Sequence, residues 1–126
     1  MNLSTDINRM AQEIFQAMNT RDFTVFEKVI ADEVAFDFPG AGNVEGNRRT
    51  LLLLKSLLMK YPKLHFSISE IISAGERACV VWTNQGEDIK GNSYSNAGIT
   101  LLHFSGGKIS FISDYFKDTS FTVPNQ

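Results

Sequence analysis

The spacing of hydrophobic residues changes partway along this chain, and that change limits the folds available to it. Over residues 5–18 apolar side chains recur every three or four positions, which is typical of one buried face of a helix. A second short helix is predicted after Asp22, a residue type that caps helix N-termini. A third helix is predicted from Gly46 to Tyr61, where Pro62 ends it. The first half of the chain is therefore predicted to be mostly helical.

Alternation with period two dominates the second half and predicts β-strands. The predicted strands are residues 34–38, 64–73, 78–85, 93–105 and 108–117, with a loop at 40–43. Gly106-Gly107 is a strong signal for a two-residue hairpin between the last two strands. Helices grouped ahead of a four-stranded meander predict an α+β fold, and the length of 126 residues predicts one domain, residues 1–126. Because long strands curl, we expect the helices to cover a concave face and leave a pocket.

Charge and composition argue against some classes of partner. Lys+Arg number 12 against 14 Asp+Glu, and no basic run exceeds Arg48-Arg49, so nucleic-acid binding is not expected. No apolar run approaches the roughly 20 residues of a membrane span, and residues 1–6 lack the basic and apolar regions of a secretory signal. The single cysteine, Cys79, has no partner for an internal disulfide. We therefore expect no membrane partner and a cytoplasmic location.

Two segments carry a resemblance to a known superfamily. They are Val34–Gly40 and the hairpin Phe104–Ile109 with Asp114–Asp118 after it. Together with the order of elements, they resemble the nuclear transport factor 2-like superfamily, and within it the SnoaL-like polyketide cyclase and ketosteroid-isomerase-like branch. The resemblance implies a cone-shaped fold with N-terminal helices packed on a curved mixed or antiparallel sheet. Because that superfamily includes isomerases, cyclases, dehydratases, hydrolases and proteins with no chemistry, the resemblance implies no single activity.

Asp114 is the first candidate for catalysis. Period two in the last strand puts it on one face with Ser110, Ile112 and Phe116. Apolar neighbours disfavour the charged carboxylate and raise its pKa, which suits a general acid or base near neutral pH. The alternative is a carboxylate that is solvated at the strand end or paired with a lysine.

Asp37 is the second candidate, because it matches the place where the ketosteroid isomerases carry their general base. Phe36 and Phe38 point the opposite way on a strand, so Asp37 faces either the pocket or solvent. A pair of carboxylates in one cavity is the arrangement that would favour catalysis. The isomerases' oxyanion donors are missing, since the first helix has no tyrosine and Leu102 stands where they have an aspartate. Steroid isomerisation by that mechanism is therefore not expected.

Seven further residues are predicted to line the pocket. They are Trp82, Tyr94, Thr100, Leu102, His103, Ile112 and Phe116. Trp82 forms either the floor of a site for a cyclic ligand or part of the core. Tyr94, Asn96 and Thr100 share one strand face and can supply hydrogen-bond donors. The alternative for His103 is a hydrogen-bonded core or interface residue. No spacing of His, Cys or carboxylate residues resembles a metal site, so neither a metal nor a cofactor is predicted.

Both faces of the last strands carry apolar residues. Opposite Leu102 and Ile112, the second face is predicted to hold Ile99, Leu101, Ile109 and Phe111. The helices can cover only one face of the sheet, so a second copy of the chain is expected to cover the other. The sequence therefore predicts a homodimer formed through the sheet.

These observations predict a protein with a pocket for a small molecule. The favoured hypothesis is a cofactor-independent isomerase, cyclase or dehydratase in which Asp114, Asp37 or both move a proton on a small apolar cyclic substrate. One alternative is a non-catalytic ligand-binding module, whose pocket would hold only one carboxylate. The other alternative is a domain whose exposed sheet binds another protein.

Overall fold

The computed structural model of the chain describes residues 3–120, which form three helices and six strands. In chain order these are α1 (Leu3–Thr20), α2 (Phe23–Val29), β1 (Ile30–Phe38), β2 (Gly42–Glu45), α3 (Asn47–Lys60), β3 (His65–Ala74), β4 (Arg77–Glu87), β5 (Ser93–Ser105) and β6 (Lys108–Phe116). The strands form one sheet in the order β2-β1-β6-β5-β4-β3. Only β1 and β6 run parallel, so the sheet is mixed. The α+β prediction is confirmed.

The first sheet hairpin differs from the sequence prediction. Residues 40–43 were expected to be a loop, but a turn there leads into β2, which pairs antiparallel with β1. Strand β2 is short and mostly exposed, so it lacks the alternating apolar pattern by which strands are recognised. Strand β1 also begins earlier than predicted, because Ile30 already has extended backbone geometry at the end of α2. The predicted cap is confirmed, since the Asp22 side chain accepts a hydrogen bond from the Thr24 amide.

Two polar side chains attach the end of α1 to the sheet. Asn19 pairs with the backbone of Phe66 in both directions, accepting from its N–H at 2.7 Å and donating to its C=O at 3.0 Å. Arg21 has a positive φ of 63° and donates to the carbonyls of Tyr61 and Leu64, each at 3.0 Å. These bonds satisfy backbone groups at the junction of α3 and β3 that would otherwise need water. They hold the helix layer over the start of β3.

The hydrophobic core lies between the helices and the inner face of the sheet. Its members include Ile7, Ala11 and Ile14 of α1, Leu54 and Leu58 of α3, and Phe36, Val80 and Leu102 of the sheet. Burial of each large apolar side chain contributes about 1.5–3 kcal/mol to folding. None of the described helices is both long and apolar enough to pass through a lipid bilayer.

A β-bulge in β6 changes which residues face the core. Strand β6 has one extra residue, Ser110, between the residues that pair with His103 and Phe104. Ile109 and Ile112 are consequently both buried in the core, although strict alternation placed them on opposite faces. The predicted grouping of Ser110 with Ile112, and of Ile109 with the outer face, is therefore wrong. Beyond the bulge the alternation holds to the end of the strand.

Candidate active site

A cavity of about 100 Å³ lies between the helix layer and the inner face of the sheet. Its walls are mostly apolar and strongly aromatic. The aromatic walls include Phe15, Phe36, Phe38, Phe66, Trp82 and Phe116. The Trp82 ring lies 5.3 Å from the Phe66 ring and 6.4 Å from the Phe116 ring, measured between centroids. Aromatic walls with few polar groups suit a small apolar ring compound.

Seven of the nine residues predicted for the site line this cavity. They are Trp82, Tyr94, Thr100, Leu102, Ile112, Asp114 and Phe116. The other two, Asp37 and His103, lie outside it. The bulge at Ser110 precedes Asp114, and the alternation after it keeps Ile112, Asp114 and Phe116 on the inner face.

Asp114 is held by a short chain of hydrogen bonds across three strands. The Trp82 Nε1–H donates to Thr100 Oγ1 at 2.9 Å, and the Thr100 hydroxyl donates to Asp114 Oδ1 at 2.6 Å. Because an indole N–H can only donate, Thr100 Oγ1 accepts from Trp82, and its own proton is available to the ionised carboxylate. Within residues 3–120, Oδ1 is the only carboxylate oxygen of Asp114 with a hydrogen bond, so Oδ2 is left for a ligand.

Gly98 makes this arrangement possible. On β5 it lies directly opposite Trp82 and two residues before Thr100. A Cβ atom at Gly98 would stand 2.8 Å from Trp82 Cζ2 and equally close to Phe116 Cβ. The absence of a side chain at this position lets the indole ring lie across β5 and reach Thr100.

The environment of Asp114 raises its pKa to about 6 from the model-compound value of 3.8. Desolvation in the apolar site is the largest cause, and the nearby charge of Asp37 adds to it. The hydrogen bond from Thr100 acts in the opposite direction, because it stabilises the charged form. Near neutral pH both protonation states of Asp114 are therefore accessible, as a group that takes up and returns a proton requires.

Asp37 lies on the outer face of the sheet, and the expectation that it shares a cavity with Asp114 is wrong. It pairs in register with Ser113, whose hydroxyl donates to Asp37 Oδ2 at 3.2 Å. Phe36 and Phe38 turn inward and line the cavity, so the alternation of β1 turns the exposed Asp37 outward. Among the described residues Asp114 is the only carboxylate that lines the cavity.

His103 is also on the outer face, which corrects its assignment to the pocket. It follows Leu102, which points inward, and its ring lies 4.9 Å from the Phe111 ring between centroids. Partial burial lowers the pKa of His103, and the positive charge of Arg77 lowers it further. His103 is therefore not part of the hydrophobic core, and its place in an interface stays a prediction.

Several cavity residues were not identified from the sequence. Many come from the helices, where a residue that faces a cavity has the same spacing as one that fills the core. Tyr61, which directly follows α3, was also missed, and its ring lies 4.7 Å from that of Tyr94 between centroids. Asn84 is another missed residue, although its period-two spacing from Trp82 on β4 is a signal that could have revealed it. Within residues 3–120 no three His, Cys, Asp or Glu side chains come together as metal ligands.

Comparison with known proteins gives a family match and a set of similar folds. The SnoaL-like domain family matches residues 11–112. No curated protein sequence matches this chain significantly.

Three solved structures cover most of the chain. One, assigned as a SnoaL-like polyketide cyclase from Jannaschia sp. CCS1, has a TM-score of 0.83 at 14% identity, covering 90% of this chain and 86% of that one. An NTF2-like protein from Burkholderia pseudomallei K96243 has a TM-score of 0.81 at 19% identity, with coverages of 89% and 91%. AclR from Streptomyces galilaeus, assigned as a hydroxylase, has a TM-score of 0.80 at 16% identity, with coverages of 96% and 88%.

Proposed function

Because the chain belongs to the SnoaL-like domain family and has the nuclear transport factor 2-like fold, we propose that the cavity binds a small apolar cyclic molecule. Asp114 moves a proton on this molecule. The reaction is a cofactor-independent isomerisation, cyclisation or dehydration. The family and its structural neighbours include proteins assigned as polyketide cyclases and hydroxylases. Asp37, on the outer face, takes no part in the proposed step.

The observation that carries this proposal is a single carboxylate inside an aromatic cavity with its pKa raised to about 6. In the proposed step Asp114 Oδ2 removes a proton from a carbon next to a carbonyl group. The C–H bond breaks, an O–H bond forms on Asp114, and the electron pair moves to the carbonyl oxygen. The charge on that oxygen must be stabilised by a donor other than the tyrosine and aspartate of the ketosteroid isomerases, which this chain lacks. Thr100 holds Oδ1 during the transfer, so that Oδ2 remains directed at the substrate. The protonated Asp114 then returns the proton to another atom of the same substrate.

The proposal is tested by hydrogen–deuterium exchange of monocyclic ketones in D₂O, followed by proton NMR. We expect exchange to increase through pH 6, since only the ionised carboxylate accepts a proton. Asp114→Asn should reduce the rate by about 10²–10⁴, the usual contribution of a positioned general base. Asp37→Asn is the matched control and should retain the wild-type rate. Wild-type exchange in Asp114→Asn would contradict the proposal.

A second candidate function is binding without catalysis. It is favoured by the finding that, of the described residues, only one carboxylate lines the cavity. In that case Asp114→Asn should bind the same ring compounds as tightly as the wild type, and no ketone of the panel should exchange above the buffer rate. The two functions are therefore separated by the same set of variants.

We further propose that the outer face of the sheet forms a homodimer. Its exposed apolar residues include Ile99 and Tyr115, which are 40% and 59% exposed. They lie beside the half-buried Leu101 and Phe111. Light scattering should give about twice the chain mass of 14.1 kDa, and a mass of 14.1 kDa would refute the dimer. A stable complex with a different protein would instead favour an interaction domain. The cytoplasmic location remains a prediction.

A further inference from the structure

Asn84 lines the cavity and has a buried, unpaired polar atom. Its side chain lines the cavity and is only 8% exposed, and its Oδ1 is buried with no hydrogen-bond partner among the described residues. Two other buried oxygens, on Asn8 and Thr50, also lack partners, but neither residue lines the cavity. An acceptor left unpaired in a folded interior is destabilising, so such groups generally have a partner in some state of the protein.

The neighbouring Asn96 shows that this part of the sheet can satisfy a buried amide. Asn96 pairs with Asn84 across β4 and β5, lines the same cavity and is 9% exposed. Its Nδ2 donates to the Asp118 carbonyl at 2.8 Å and to the Tyr94 hydroxyl at 3.0 Å, and its Oδ1 accepts from the Asp118 N–H at 3.0 Å. Asn96 therefore attaches the chain beyond β6 to the sheet. Among the described residues, no backbone or side-chain group donates an equivalent hydrogen bond to Asn84 Oδ1.

We infer that Asn84 is a ligand-anchoring residue whose Oδ1 accepts a hydrogen bond from a hydroxyl group on a single-ring ligand. This inference rests on the proposed use of the cavity as the ligand site, but not on catalysis by Asp114. The size of the ring follows from the volume of the cavity. An apolar cavity of about 150 Å³ accommodates benzene, so a cavity of about 100 Å³ takes at most one ring, with small side-chain movements.

The register of the sheet separates Asn84 from Asp114. Asp114 lies in one cross-strand row with Thr100 and Val80, whereas Asn84 is four residues further along β4. Trp82 lies midway between the two rows on β4. The hydroxyl that binds Asn84 is consequently at the opposite end of the ligand from the atom that meets Asp114. The ligand class is therefore a ring with a hydroxyl group at one end and the reacting group at the other.

The test compares the binding of 4-methylphenol and toluene, which differ by one hydroxyl group, by calorimetric titration. Asn84→Leu has a similar volume and removes the acceptor. We expect it to weaken binding of 4-methylphenol by about tenfold, because the ligand hydroxyl then loses its partner, and to leave toluene binding equal or tighter. Asn84→Ser is the second variant, which keeps an acceptor oxygen and should retain part of the preference for 4-methylphenol. Asp37→Asn is the control and should bind both compounds as the wild type does.

The outcomes separate this inference from the proposed function. If both compounds bind and their affinity ratio is the same in Asn84→Leu as in the wild type, Asn84 is not an anchor and the inference is overturned while the cavity site stands. If neither compound binds to any of these proteins, the cavity is not the ligand site, and both proposals are overturned. A purely structural role for Asn84 would change the melting temperature without changing the affinity ratio.

Discussion

The inner and outer faces of the sheet give two neighbouring aspartates different chemistry. Asp37 pairs with Ser113, and Asp114 is the next residue along β6. Because successive side chains on a strand point to opposite faces, the two carboxylates lie on opposite faces of the sheet. Each accepts a hydrogen bond from a hydroxyl, Asp37 from Ser113 and Asp114 from Thr100. Only Asp114 is enclosed by apolar rings, and this enclosure raises its pKa to about 6. The enclosure, rather than the residue type or the hydrogen bond, makes Asp114 the candidate base.

The largest expected difference between the faces is in the free energy of unfolding that is lost when a leucine is truncated. Leu102 is 1% exposed on the inner face, whereas its neighbour Leu101 is half-buried on the outer face. Leu102→Ala should lower the free energy of unfolding by about 2–5 kcal/mol, because a core cavity is created. Leu101→Ala should cost less than about 1 kcal/mol in a monomer. Urea unfolding measures both values.

The same pair of variants also tests the proposed dimer. If the outer face packs against a second copy, the cost of Leu101→Ala should increase with protein concentration, because unfolding is then linked to dissociation. Equal costs for the two variants, independent of concentration, would contradict the distinction between the faces.

A smaller difference is expected in the pH dependence of stability. Because folding raises the pKa of Asp114 from 3.8 to about 6, the unfolded chain loses this proton first as the pH rises. The stabilisation from Asp114 is complete below pH 3.8 and is lost as the pH rises through 6, a change of about 3 kcal/mol. Asp114→Asn cannot titrate, so it should gain stability relative to the wild type by about that amount between pH 4 and 7.

Thermal or urea unfolding at several pH values checks this expectation. Asp37→Asn is the matched substitution on the outer face. It should change the pH dependence less, because it leaves the desolvation of Asp114 in place and removes only the smaller contribution of the Asp37 charge to the pKa of Asp114. A larger effect from Asp37→Asn than from Asp114→Asn would show that the faces had been assigned the wrong roles.

The hydroxyl groups that bind the two aspartates, on Thr100 and Ser113, should differ in their effect on the pKa of Asp114. Thr100→Val takes away a bond that stabilises the charged Asp114, so the pKa of Asp114 should rise by a further 1–2 units, approximately. Ser113→Ala removes the corresponding donor on the outer face and should leave the pKa of Asp114 nearly unchanged. Carbon-13 NMR titration of labelled aspartates gives both values. A fall in the pKa of Asp114 in Thr100→Val would contradict the proposed direction of the hydrogen bond.

The smallest effect is expected at His103 on the outer face. Its pKa is lowered mainly by partial burial and secondarily by Arg77, which lies opposite it on β4. Arg77→Gln should therefore raise the pKa of His103, but by less than the shift expected for Asp114 in Thr100→Val, because solvent screens the charge of Arg77. Proton NMR of the imidazole signals measures the change. An unchanged or lower pKa would exclude Arg77 as a contributor.

Local patterns were sufficient for most of the elements. The helical spacing of residues 5–18 and the cap at Asp22 act within a few residues of the chain, and both were predicted. The Gly106-Gly107 hairpin was predicted for the same reason, and both glycines have the positive φ that such a turn requires. Strand β2 was missed because its polar residues become a strand only by pairing with β1.

The α+β class, the order of helices and long strands, and most of the side chains that face the cavity from β4, β5 and β6 could be predicted from the sequence. These features follow from hydrophobic periodicity, which each segment carries alone. Tertiary structure decided the rest. The bulge at Ser110 put Ile109 in the core, and the inward orientation of Phe36 and Phe38 placed Asp37 on the outer face. The folded cavity wall left Asn84 Oδ1 without a hydrogen-bond partner among residues 3–120. Each of these depends on contacts between distant segments, and a one-residue change in register reverses the face of every residue after it.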